Sequence, residues 1–160
     1  MKYEEDKRQS DLYVPEIKSI LGRYLVGVAT TEQDQHEATD LIVLKVRQLR
    51  VACRVRNEKY LAKYGKQFTI RSERLLSGNK TELEKIKEGW GDWFFYGFGD
   101  KVRLLQWFIG DLRIFRQWLS TPFGKPLAKK RNHDFTSDFQ AFELEKMPAE
   151  FLIGASWWEL

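Results

Sequence analysis

Between Leu49 and Arg56 the chain alternates strictly: Leu49, Val51, Cys53 and Val55 take every second place, with Arg50, Ala52, Arg54 and Arg56 between them. A period of two marks a β-strand, because successive side chains leave a strand on opposite faces. The pattern predicts a strand with one apolar face and one face that presents arginines. It puts Cys53 on the apolar face, where a lone cysteine is expected to fill core.

Other elements fall around that strand. Pro15 suits the first position of a helix, and Ile17, Ile20, Leu21 and Tyr24 follow on one face. Residues 25–29 read as a short strand, residues 30–39 as a polar connection, and Asp40 to Val46 as a strand covered on both faces. Gln67 to Ser72 is a further strand, with Phe68 and Ile70 pointing one way. After a turn at 77–80, Thr81-Glu82-Leu83-Glu84 forms a capping-box pattern whose helix should end at Gly89. Residues 90–98 are aromatic and β-prone, and Leu104 to Ile109 is another strand. Asp111 can cap a helix in which Leu112, Phe115 and Leu119 share a face, with Pro122 beyond its end. A polar loop is expected over 125–138, late strands at 139–144 and 151–155, and an aromatic C-terminal tail at 156–160. The expected architecture is α/β (α+β): a single domain, residues 1–160, with a mixed central sheet flanked by helices.

Charge is spread unevenly. Residues 1–44 carry five Lys/Arg against nine Asp/Glu, while residues 45–87 carry thirteen against four, a net +9 within a chain of net +4. Such a segment is either a solvated face or a surface that neutralises phosphates and releases their counterions. Arg47, Arg50, Arg54, Arg56, Arg71 and Arg74 favour the phosphate reading, since guanidinium grips phosphate with a planar fork, and Lys80 extends the set. Nucleic acid, DNA first, is the expected partner. Six tryptophans add rings beyond what a small core absorbs, and Trp90, Trp93 or Tyr96 on a groove wall would stack bases.

Several chemistries are excluded. The chain has no Gly-rich phosphate loop ending in Lys-Ser/Thr, no GxGxxG and no Gly-x-Ser-x-Gly elbow. His36, His133 and Cys53 are too few for a structural zinc site. One cysteine forbids an internal disulfide, and no stretch reads as a signal peptide or as a membrane span of about 20 apolar residues. A cytoplasmic protein without membrane contact is expected.

An acid in the first turn of the N-terminal helix (Glu16), an acid opening a buried strand (Asp40), and a basic pair on the next strand (Arg54, Arg56) together resemble the PD-(D/E)XK nuclease-like superfamily. The likeness extends to the element order from Glu16 to about Leu119. Runs such as Arg54-Val55-Arg56 and Gly89-Trp90-Gly91-Asp92-Trp93 also look like proteins of phage and prophage genomes. The resemblance implies a restriction-endonuclease-like fold and Mg²⁺ or Mn²⁺ held by Glu16 and Asp40. It makes Asp40, Arg54 and Arg56 the catalytic set, with Arg54 at the place of the family's second carboxylate and Arg56 at that of its lysine. Both arginines depart from the family pattern, because guanidinium supplies charge and hydrogen bonds but cannot ligate a cation. Glu73, Glu82 or Asp92 would have to replace the lost ligand.

Each residue also has an ordinary reading. Asp40 can cap a turn, Glu16 suits the helix macrodipole, and Arg54 with Arg56 can form the charged face of an edge strand. Three functions therefore stand at the level of sequence: a metal-dependent nuclease, a nucleic-acid-binding protein that does not cut, and a phage-type protein-interaction module or inhibitor anchored by Trp157 and Trp158.

Overall fold

The computed structural model describes residues 11–28, 41–43, 48–74, 78–131 and 137–158. It comprises two compact units, residues 1–49 with 101–103 and residues 50–100 with 104–160.

In the first unit, α1 (Val14–Leu25) buries Ile17 and Ile20, two of the four positions its periodicity marked. The Lys101 backbone N–H donates to the Tyr13 hydroxyl at 3.0 Å, and Lys101 itself has a φ of 75°. Strand β1 (Val26–Val28) follows the helix directly and pairs antiparallel with β2 (Leu41–Val43), Val26 lying opposite Val43. The segment expected as a strand of the central sheet thus pairs in a two-stranded ribbon instead. Asp40 and residues 44–47, including Arg47, lie outside the described residues.

The second unit holds a mixed four-stranded sheet and a separate antiparallel three-stranded sheet. In the first, β3 (Val51–Asn57) runs parallel to β5 (Trp93–Gly99). Strand β5 pairs antiparallel with β6 (Leu104–Asp111), which pairs with β9 (Leu152–Ala155). The second sheet runs β4 (Gln67–Arg74), β8 (Ser137–Glu143), β7 (Ala128–Arg131). A mixed sheet was expected, but the strands at 67–74 and 137–143 leave it to form a layer of their own. Between 125 and 138, where a polar loop was expected, the chain makes β7 and enters β8. Strand β7 reads Ala-Lys-Lys-Arg and sits at a sheet edge, where charge discourages further pairing and erases the apolar period.

Helix α2 (Leu61–Tyr64) continues a 3-10 turn at Glu58–Tyr60, which Asn57 caps by accepting from the Lys59 N–H at 3.1 Å. Helix α3 (Glu82–Lys87) carries the full capping box between Thr81 and Glu84. It ends as its sequence predicts. Gly89 takes a φ of 96°, and the N–H groups of Gly89 and Trp90 return to the carbonyls of Ile86 and Lys85. In α4 (Leu112–Leu119) the Asp111 carboxylate accepts from the N–H groups of Arg113 and Ile114. The buried face of α4 is Leu112, Phe115 and Trp118, with Leu119 only half-buried, so the apolar stripe lies one residue off the expected one.

Phe68 stands at the middle of the core. Its ring meets Phe94, Tyr96, Phe108, Phe115, Phe142 and Phe151 at centroid separations of 5.4–6.3 Å. Edge-to-face and offset arrangements of this kind add to the area term of burial. Gly110 lets the Phe151 ring lie flat on β6, since a Cβ there would occupy the ring's place. This one core joins both sheets to α3 and α4.

Candidate nucleic-acid interface

Register decides which way the arginines of β3 point. Arg54 lies opposite Tyr96 and Arg56 opposite Phe98, and those aromatics belong to the main core. The arginine face of β3 is therefore the core-side face, reaching past the rim of an edge strand. Val51, Cys53 and Val55 lie on the other side of the sheet. Cys53 is exposed, which corrects its expected place in the core. The period of two was right, but both sides of the sheet are covered beside β3, Tyr96 and Phe98 being buried on the arginines' side and Phe95 on that of Cys53, because neighbours across a sheet, rather than the strand's own composition, decide what is covered.

Three of the seven expected phosphate-gripping residues, Arg50, Arg54 and Lys80, prove to be tied within the protein. Arg50 donates through its backbone N–H (2.8 Å) and its Nε (3.1 Å) to the Asp92 carboxylate, and lies over the exposed Trp90 ring at 5.6 Å. Its guanidinium holds the Asp92 carboxyl below the ordinary aspartate value. Arg54 donates to the Thr69 carbonyl at 3.2 Å and pairs with Glu82 at 3.5 Å. Lys80 pairs with Glu88 at 2.7 Å. Arg71 is half-buried, and of Arg74 only the backbone is described.

Arg56 is different. Its guanidinium carbon sits 4.4 Å from the centroid of Tyr60 and 5.6 Å from that of Tyr64. The ammonium of Lys59 lies 5.0 Å from the Tyr60 centroid, and those of Lys63 and Lys130 lie 5.3 and 5.4 Å from that of Tyr64. Among the described residues no carboxylate comes within ion-pair distance of these four cations. Two tyrosine rings collect the charges without neutralising them. The attraction of a cation for a ring face is about 0.5–1 kcal/mol at an exposed site, so each charge remains available to an anion.

Three elements build this cluster. Arg56 comes from the end of β3, and Lys59, Tyr60, Lys63 and Tyr64 come from the 3-10 turn and α2. Lys130 comes from β7. The helix sets Tyr60 above Tyr64 and Lys59 above Lys63, since residues four apart are neighbours on one helix surface. On β7 the two faces divide the labour. Lys129 and Arg131 bind Glu73 and Asp138 on one side, and Lys130 turns to the other, towards Tyr64. Sequence reading missed Lys59, Tyr60, Lys63, Tyr64 and Lys130. The spacing of four in Arg56, Tyr60, Tyr64 and in Lys59, Lys63 was the signal that could have found most of them. Nothing in the sequence brings Lys130 beside them.

Beside the cluster, α2 forms one wall of a groove of about 750 Å³. Leu61, Leu144, Leu152 and Trp157 supply its apolar surface, and Lys63 stands on its lining as well as in the cluster. Trp157 packs against the core with its ring 6.4 Å from Phe108, while Trp158 is 55% exposed, so of the two expected anchors one is turned inwards. Tyr96 is fully buried, with its hydroxyl 3.2 Å from that of Thr69, and takes no part in stacking on a groove wall.

Of the metal pair implied by the nuclease resemblance, Glu16 lies in the first turn of α1 and Asp40 lies outside the described residues. The guanidinium groups of Arg54 and Arg56 have no lone pair to offer a cation. Among the described residues no three His, Cys, Asp or Glu side chains gather to hold a metal ion. No described helix is long and apolar enough to cross a membrane. No family model, no curated protein and no solved structure matches the chain.

Proposed function

We propose that this protein binds nucleic acid through the cationic tyrosine cluster of β3, α2 and β7, and that it does so without cutting it. A single observation carries this reading: Arg56, Lys59, Lys63 and Lys130 converge on two tyrosine rings, and among the described residues none of the four forms an ion pair with a carboxylate. Like charges held together repel one another, and a polyanion relieves that repulsion while releasing its own counterions. A restriction-endonuclease-like cleavage centre is not part of the reading, because Arg54, at the place of the family's second carboxylate, is paired with Glu82 and has no lone pair to hold a cation.

The test is a salt titration of binding to a labelled 20-nucleotide DNA, in single-stranded and duplex forms. Affinity should fall steeply as salt rises. In the triple variant Lys59→Ala, Lys63→Ala, Lys130→Ala, the slope of log affinity against log salt should flatten by about 2 on the single strand, each lost phosphate contact removing about 0.7. All three lysines are exposed, so the variant should fold normally. An unchanged slope, or no binding of either form at low salt, would overturn the proposal.

A further inference from the structure

Resting on that reading, we infer that the groove beside the cluster takes an unstacked base, which makes the ligand a single strand rather than a duplex. Three observations meet here. First, Lys63 belongs to both features, lining the groove while its ammonium lies 5.3 Å from the Tyr64 ring. A ligand whose anionic part sits on the cluster therefore has its next group at the groove mouth. Second, Arg56, Phe98 and Gln106 are register partners across β3, β5 and β6. Two strand spacings put the cluster's guanidinium strand and the groove's Gln106 about 10 Å apart on the same face of the sheet. Third, the chemistry of the groove suits a flat heteroaromatic with polar edges.

Its apolar wall combines an indole, Trp157, with the leucines 61, 144 and 152, and its volume lies in the range of cavities that enclose small ligands. Gln67 and Gln106 offer amides. The Gln106 Nε2 is occupied by the Gly65 carbonyl at 2.6 Å, which fixes that side chain and leaves its oxygen as an acceptor. The rim carboxylates do not repel a phosphodiester, since Glu145 is paired with Lys66 and Glu143 with Lys146. A base within a duplex has its faces covered by its neighbours and cannot enter. A base in a single strand can, and base–aromatic contact gives useful affinity without sequence preference.

The experiment measures the same 20-nucleotide DNA, single-stranded and as a duplex, against wild type, Ala62→Trp and Gln67→Ala. Ala62 is exposed and lines the groove without belonging to the cluster, so an indole there fills the groove without disturbing the core. Wild type should prefer the single strand. Ala62→Trp should weaken single-strand binding about tenfold, the scale of one lost base contact, and duplex binding less than about twofold. Gln67→Ala should lower single-strand affinity and alter the ranking of homopolymeric oligonucleotides. If both variants bind the single strand as wild type does, the groove is not a base site, although the cluster remains a nucleic-acid surface. Should neither form bind wild type at low salt, the proposed function falls and this inference with it.

Discussion

Arg50, just ahead of β3, and Arg56, near its end, are the same residue type, yet they do opposite things. Arg50 meets a carboxylate and becomes part of the scaffold that ties the start of β3 to the turn before β5, with Asp92 N–H returning to the Arg50 carbonyl at 2.9 Å. Arg56 meets rings and keeps its charge. The Asp92 carboxyl, held low chiefly by the Arg50 side chain, titrates in the folded state below its ordinary value of 3.8. A depressed folded value contributes stability that is complete above the unfolded value and is lost as pH falls through the folded one. Wild type should therefore be more stable than Asp92→Asn near neutrality, and urea denaturation should show the gap closing as pH falls below about 4. A gap that stays constant over that range would assign the effect to something other than the ion pair. From the sequence, both arginines read equally as phosphate ligands, because nothing local says which will find an acid forty-two residues away.

At the scale of elements, local chemistry was legible where it closes on itself. Helix α3 is the clearest case. Thr81 is buried, accepts from the Glu84 N–H and is answered by the Glu84 carboxylate, whose titration is pulled low chiefly by the Thr81 backbone N–H. Thr81→Ala should destabilise the protein by about 1 kcal/mol, while Thr81→Ser should be nearly neutral. Thermal unfolding of the two variants checks this, and equal losses would argue that the methyl group rather than the hydroxyl matters. Strand β7 shows the opposite situation. Its Ala-Lys-Lys-Arg sequence has no strand signal of its own, and it is a strand because β8 offers an unpaired edge. The expected loop at 125–138 failed for that reason, and Lys130 was missed with it.

For the molecule as a whole, the second unit depends on an aromatic centre that no single element owns. Phe68 is fully buried between rings from both sheets and from α4. Phe68→Ala should lower stability by about 3–5 kcal/mol, the range for a large ring removed from a packed core, and Phe68→Leu by clearly less. Denaturation followed by near-ultraviolet circular dichroism would report it, and a loss below about 1 kcal/mol would mean that the neighbouring rings close the space.

The sequence by itself determined the mixed α/β character, strands near 49–56, 67–72, 90–98 and 104–109 that fall on β3, β4, β5 and β6, the caps of α3 and α4, and the basic middle of the chain. Those features depend on residues within a few positions of one another, or on composition alone. Only the tertiary structure decided that the strands divide into two sheets, that the arginines of β3 face the core rim, and that Lys130 joins Arg56 across Tyr64. Strand register and side-chain pairing depend on partners brought from distant parts of the chain, and the free energy separating one such pairing from another is not written in any local pattern.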